Sequence, residues 1–290
     1  EDDKKYKQVP MGIVLKRRDN AKIVKRVIGG MVDILLEEVD VDKAVEFVKS
    51  KVLEVLNGEY DIKYFTTSKT LRGSYKGVKL TSNKKGKKGT SGQWEWFDVK
   101  TSLGHVMLCQ KMRRNDPGSS PQSNDRIKFV TTRVREYDEN GRKIKLLQGD
   151  RLDTPESVKE NNKEIDYLWY VTNQIQNPAI DFLRFVLSNK ETQKIDKKLI
   201  KLMKKSAKDE DNEEIKEKIE ELSNENAKIR KELATKIFDD ILQPIKDERK
   251  EKDIDDAIEE YNNINNNCLG LIYSITNEIT IPRKKKKSEK

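Results

Sequence analysis

The chain has 290 residues, with 60 Lys and Arg against 51 Asp and Glu, a formal net charge of +9, and that length holds one or two domains. Charged residues make up 38% and hydrophobic residues 34%, so any core must share the chain with polar helix or disorder, and the basic excess suits a polyanion such as nucleic acid or an anionic membrane surface. No apolar run of about 18 residues and no apolar leader is present, and Cys109 and Cys268 form no CxxC pair, which argues against a membrane span, a signal peptide and a zinc or iron–sulfur motif and fits a reducing compartment.

Residues 20–39 carry Ile23, Val27, Met31 and Ile34 at helical spacing, which predicts a helix. Gly29 and Gly30 interrupt it, each costing roughly 1 kcal/mol unless a neighbour packs close. A second helix starts at Asp40 or Asp42, carries Ala44, Val45, Val48, Val52 and Leu56 on one side, and ends at Gly58. The β-branched and aromatic stretch 60–67 predicts a short strand. A Lys/Gly/Ser loop covers 76–92, and Trp94, Trp96 and Phe97 restart apolar structure. Residues 101–113 read as a helix, followed by a turn from Asp116 to Pro121. Ile127–Tyr137 and Lys143–Leu147 flank Asp138-Glu139-Asn140-Gly141, a pattern that predicts a β-hairpin. Helix resumes after Thr154 with Pro155 in its first turn, and continues over Tyr167–Leu187, where Pro178 predicts a break or kink. From Ser188 to Ala234 the chain is very polar. Ile215, Leu222 and Ile229 recur every seven residues, with Ile219 and Leu233 in a second register and Asn226 in the seam, about three heptads of a possible coiled coil. Arg283–Lys287 is a basic run in a tail expected to be disordered.

Four stretches, in order, are MGIVLKRRDN (11–20), TTSKTLRGSYK (66–76), HVMLCQKMRRNDPGSSPQSNDRIKFV (105–130) and QGDRLDTPESVKENNKEIDYLWYVTNQIQNPAIDFL (148–183). Together they resemble the thumb of family B DNA polymerases, in the branch of eukaryotic polymerase delta and the nucleocytoplasmic large DNA viruses. Asn115, Lys128 and Gly104 depart from the family's usual Arg, Pro and Ala. The palm signatures that carry the metal-binding aspartates of that family do not occur, nor does the Lys-Lys-Arg-Tyr signature that precedes the first stretch. With Glu1 at its start, the chain reads as a fragment or processed product beginning after the palm.

The resemblance implies an α+β, mostly helical polymerase thumb with a small β-hairpin element and a helical, coiled-coil insertion. Its expected parts are a palm-proximal segment and DNA-binding thumb over 1–187, a charged helical insertion over 188–235, a C-terminal helical part over 236–281 and a basic tail over 282–290. A thumb holds duplex of any sequence, which calls for phosphate contacts rather than base contacts. Lys16, Arg17 and Arg18 read from composition alone as a solvated basic cluster; the resemblance makes them backbone contacts. Lys69, Arg72 and Lys76 stand among hydroxyls and glycines, otherwise an ordinary surface loop, and the resemblance favours Lys69 most. His105, the single histidine, reads as structural or as a polar contact to DNA. Arg126 and Arg151 are further candidates, while Asp125 and Asp150 read as their ion-pair partners. The lysines at 84, 85, 87 and 88 read as a flexible basic loop. No spacing of Asp19, Asp116, Asp125, Asp150 and Asp153 argues for a two-metal site, and Asp116 reads as a turn cap. Trp94, Trp96 and Phe97 read as packing residues rather than base-stacking ones.

The function this implies is the primer–template-binding part of a DNA-directed DNA polymerase in viral DNA replication, in the nucleus or a cytoplasmic factory. No cofactor is expected on this chain, with Mg²⁺ in the complete polymerase. The implied partners are duplex DNA, the palm and exonuclease portion and a possible sliding clamp, with no membrane. The alternative is a stand-alone basic accessory protein that binds DNA and dimerises through residues 210–235.

Overall fold

The computed structural model describes residues 15, 20–72, 103–118, 121–122, 124–187, 190–206 and 212–278. These residues are mostly helical, with one small three-stranded antiparallel sheet, the α+β class expected. By contact density the chain divides into two units, one of residues 1–134 and 146–244, the other of 135–145 and 245–290.

In the first unit, α1 (Lys22–Glu37) buries Ile23, Val24, Val27, Ile28 and Met31, the stripe read from the sequence. Helix α2 (Val41–Leu56) starts where the Asp40 carboxylate accepts from the Lys43 N–H at 2.9 Å. The two helices approach closely at Gly30, where a Cβ would lie 2.4 Å from the Phe47 ring. That contact offsets the helix-propensity cost of this glycine. Gly58 follows the α2 C-cap with φ +72°, a conformation that favours glycine.

The strand expected over 60–67 is instead a single helical turn, α3 (Ile62–Phe65), followed by strand β1 (Thr67–Thr70). The Asp61 carboxylate accepts from the Lys63 N–H at 2.8 Å and starts the turn. A local cap outweighs the β propensity of the stretch, and extended structure begins only at Thr66.

Helix α4 (Gly104–Asn115) precedes β2 (Arg126–Thr131), the central strand. Of the expected hairpin of 127–137 with 143–147 only the end next to the turn forms: Tyr137 bridges Lys143, the Ile144 N–H donates to the Glu136 carbonyl at 2.7 Å and the Asp138 N–H to the Arg142 carbonyl at 3.0 Å. Strand β2 pairs antiparallel with β1, from Thr67 opposite Phe129 to Thr70 opposite Arg126, and with β3 (Leu152–Asp153). Both edges of β2 are filled by segments distant in sequence, which a local alternation pattern does not reveal. The Asp138–Gly141 turn itself is present, with the Asp138 carboxylate accepting from the N–H groups of Asn140 at 3.0 Å and Arg142 at 2.7 Å.

A 3-10 turn (Gln148–Arg151) leads into β3, and α5 (Pro155–Glu160) is capped by Thr154, with Pro155 in the first turn as expected. The run from Tyr167 to Leu187 forms α6 (Tyr167–Tyr170), a π-helical turn (Val171–Ile175) and α7 (Gln176–Leu187). Pro178 has no N–H to offer the preceding turn, and the wider π turn before it reorganises the ladder without a break.

Helices α1, α2, α3, α6 and α7 share a core with Ile237, Phe238 and Leu242 of α9 (Glu213–Glu278). A second cluster joins Leu71, Val106, Leu108, Cys109, Ile127, Phe129 and Leu152 between α4 and the sheet. Tyr170 ties the helical core to the sheet. Its hydroxyl accepts from the Thr131 N–H at 2.9 Å and donates to the Phe65 carbonyl at 2.7 Å. Burial pushes this phenol up to about 12.

Helix α8 (Lys190–Ser206) meets the heptad seam of α9 within the same chain, where the Asn226 amide donates to Asp196 at 3.3 Å, and α7 meets α9 where Asp181 pairs with Arg230 at 2.8 Å. In the second unit, the Glu136 N–H donates to the buried Asp253 carboxylate at 2.7 Å, Arg249 pairs with Glu136 at 3.1 Å and Arg135 with Glu260 at 2.6 Å. No helix among the described residues is long and apolar enough to cross a membrane.

Replacing Tyr170 by Phe leaves the Thr131 N–H and the Phe65 carbonyl buried without this partner. A loss of roughly 1–3 kcal/mol in unfolding free energy is expected by urea titration. A change below about 0.5 kcal/mol would show that the hydroxyl does not hold the sheet to the helical core.

Candidate nucleic-acid interface

Side chains alternate across a strand, so the β1–β2 register sorts the candidate residues onto two faces. Thr67 and Lys69 share a face with Ile127 and Phe129, which pack under α4. Ser68 and Thr70 share the other with Lys128 and Arg126.

On the α4 side, Lys69, Arg72 and His105 come together from β1, the residues after it and the first turn of α4. Lys69 is half-buried, Arg72 exposed and His105 only 8% exposed. Burial, then the charges of Lys69 and Arg72, lower the His105 imidazole to about 4. It is therefore neutral near pH 7, able to donate or accept a hydrogen bond but adding no charge.

On the opposite face, Arg126 Nε donates to Ser68 Oγ at 2.7 Å and a terminal nitrogen reaches the Ser68 carbonyl at 3.5 Å. These contacts hold an exposed guanidinium on a strand rather than on a loose loop. Arg151 lies elsewhere: its guanidinium pairs with Asp166 at 3.3 Å, with side chains 14% and 1% exposed. Asp166 also caps α6 through the Trp169 N–H at 3.0 Å, so Arg151 braces the turn into α6. Lys16, Arg17, Arg18 and Lys76 lie outside the described residues, as do Trp94, Trp96, Phe97, the 84–88 lysines and the basic tail.

The expected pairing of Asp125 with Arg126 and of Asp150 with Arg151 is corrected. Asp125 accepts from the Gln122 N–H at 2.7 Å and Asp150 from the Leu147 N–H at 2.7 Å. Each short carboxylate reaches a backbone N–H three residues back and closes a local turn instead. Asp116 caps its turn as expected, accepting from the Gly118 N–H at 2.9 Å. Asp153 is buried, which by itself raises its pKa. The hydrogen bond from Lys163 and the charge of Lys111 outweigh that and hold it below the usual range. Among the described residues no cluster of three or more Asp, Glu, His or Cys is placed to hold a metal ion. The residues here therefore do not fit a two-metal centre. The Cys109 thiol is pushed up to about 12, by burial and then by the Asp125 charge, and is unreactive.

Sequence reading missed a basic groove formed by Lys22 of α1, Lys63 of α3, Lys128 of β2 and Lys159 of α5. These lysines are scattered along the chain, and no spacing signal links them.

Residues 87–186 match the model of DNA polymerase family B. The DNA polymerase of Acanthamoeba polyphaga mimivirus is 40% identical over 196 residues, covering 68% of this chain and 10% of that protein. The chain belongs to DNA polymerase family B. The DNA polymerase of Pyramimonas orientalis virus is also 40% identical, over 64% of this chain and 13% of its own length. The family B relationship extends to the DNA polymerase delta catalytic subunit of Candida albicans, 27% identical over 63% of this chain and 15% of that subunit. The chain thus spans 10–15% of the length of these three relatives.

Because His105 is the single histidine, its ring signals in an NMR titration need no assignment by mutation. A midpoint near 4, against 6.5 for an unperturbed imidazole, is expected. Between those values the unfolded chain binds more protons than the folded one, so this group's stabilising effect is complete above about pH 6.5 and declines as pH falls toward 4. His105→Gln should flatten that part of the stability profile. A titration midpoint near 6.5 would place the ring in solvent.

Proposed function

We propose that this chain is the part of a DNA-directed DNA polymerase that grips the primer–template duplex as the thumb, in viral DNA replication. The single observation that carries the reading is the 40% identity to two giant-virus DNA polymerases across about two thirds of the chain. Its physical support is the set of cations on and beside a short, well-braced sheet: Lys69 and Arg72 with neutral His105 on one side, Arg126 on the other. Contacts of this kind bind phosphates without reading bases, as a part that lets duplex slide requires. In this reading Lys16, Arg17, Arg18 and Lys76 add phosphate contacts, and Arg151 acts through the brace to Asp166. Residues 1–187 form the DNA-binding part, with 188–235 as an inserted helical segment, 236–281 as a C-terminal helical part and 282–290 as a basic tail.

The reaction of the complete enzyme is nucleotidyl transfer to a primer 3′ hydroxyl. Mg²⁺ and its carboxylates belong to the palm portion, the described residues offering no such cluster. In this reading the chain's partners are duplex DNA, the palm and exonuclease portion and a sliding clamp, and its place of action is the site of viral DNA replication.

Two measurements test this. Lys69→Ala/Arg72→Ala should weaken binding of a short DNA duplex regardless of its sequence, and lower the log–log salt slope by about 1.8, at about 0.9 per phosphate contact. An unchanged affinity and slope would remove both residues from the interface. The purified chain, supplied with Mg²⁺, nucleotides and a primed template, should give no extension product. Extension would locate a catalytic centre in this chain and overturn the division of labour.

A further inference from the structure

The groove lies opposite α4, on the sheet face that also carries Arg126, and apart from Lys69, Arg72 and His105. It is an open trough of about 560 Å³ between the start of α1, the α3 turn, the outer face of β1–β2 and α5. Lys22, Lys63, Lys128 and Lys159 line it, and all four are exposed. Asp61 and Glu156 also line it, so four cations against two carboxylates leave an excess of two positive charges. Asp61 already accepts the Lys63 N–H as the α3 cap.

Six lysines elsewhere, Lys43, Lys49, Lys51, Lys111, Lys163 and Lys218, each pair with a carboxylate. Among the described residues none of the four groove lysines has such a partner, Lys63 making only a cation–π contact with Tyr64 at 5.6 Å. Four cations from four separate elements border one trough beside only two carboxylates, and the excess positive charge attracts an anion.

The rest of the lining narrows the ligand. Ser68, whose oxygen accepts from Arg126, keeps a hydroxyl proton to donate, while the Thr66 hydroxyl is engaged with the Ile62 carbonyl and Ile62 and Pro155 provide apolar surface. Cations and hydroxyls interleaved with apolar patches match a sugar–phosphate chain, which alternates anionic and apolar groups. No aromatic ring lines the groove among the described residues, so unpaired bases find no stacking platform there. We infer that this groove binds the sugar–phosphate backbone of duplex DNA, as a contact separate from Lys69, Arg72 and His105. The identity of the polymer rests on the proposed function; the site itself does not rest on the Lys69 side of the sheet.

The test uses the full chain and fluorescence anisotropy with a short labelled duplex and its single strand. Lys22→Ala/Lys128→Ala/Lys159→Ala should reduce duplex affinity by about tenfold or more and lower the salt slope by about 2.7, three contacts at about 0.9 each. Lys128→Glu alone should also weaken duplex binding, and circular dichroism of both variants should match the parent, because these side chains are exposed. An unchanged duplex affinity and slope in both variants, or a loss confined to the single strand, would overturn the inference. The Lys69→Ala/Arg72→Ala variant separates the two sites. If it alone loses affinity, the groove is not a DNA contact and the proposed function stands; if only the groove variants lose affinity, the groove stands and the Lys69 contact falls.

Discussion

A single buried hydroxyl connects the two halves of the first unit's interior. Tyr170 lies on the helical core, yet its oxygen satisfies the Thr131 N–H on the central strand and the Phe65 carbonyl just ahead of β1. The ring fills space against Phe65, with centroids 5.1 Å apart. Burying a phenol is favourable only when its polar tip finds partners, and here both partners belong to the sheet's entry and centre. The position of β1, and so of Lys69 and Ser68, follows from where α6 presents this tyrosine.

The sheet is small, and its usefulness lies in having two unlike faces. One is sealed by α4 and carries Lys69 at its margin; the other remains open and displays Arg126 and Lys128. Charge is sorted with similar economy. Asp153 and Asp166 sit inside and are matched by Lys163, Lys111 and Arg151. Asp125 and Asp150 are used up by turns. With these acids occupied, a chain carrying nearly as many acids as bases still gathers an excess of positive charge in places such as the Lys22–Lys63–Lys128–Lys159 groove. A net charge alone does not report this, because the outcome depends on which charges neutralise one another.

The polar segment after α7 shows how a local pattern can be right in period and open in partner. The heptad residues of α9 do lie along one side, half-buried, but the seam at Asn226 meets α8 of the same chain. Asp196 receives both Asn226 and Arg184, the latter at 2.7 Å. A polar residue in such a seam fixes which helix packs where, and here it supports an intrachain pairing.

The amino-acid sequence by itself determined the helices with strong periodicity, an acidic cap at Asp40 or Asp42, Pro155 in a first turn, the Gly58 end, the Asp138–Gly141 turn and the polymerase resemblance, because each is written within a few consecutive residues or in short ordered motifs. It also named Lys69, Arg72 and His105, although not that the last would be buried and neutral. Only the tertiary structure decided that β2 pairs with β1 and β3 while the expected hairpin is confined to its Tyr137–Lys143 end, that Arg151 turns to Asp166, and that Lys22, Lys63, Lys128 and Lys159 meet in one groove. These depend on which distant segments fill each other's hydrogen-bonding edges and which side chains the core turns outward, and such choices are settled by the packing of the whole unit rather than by any neighbouring residue.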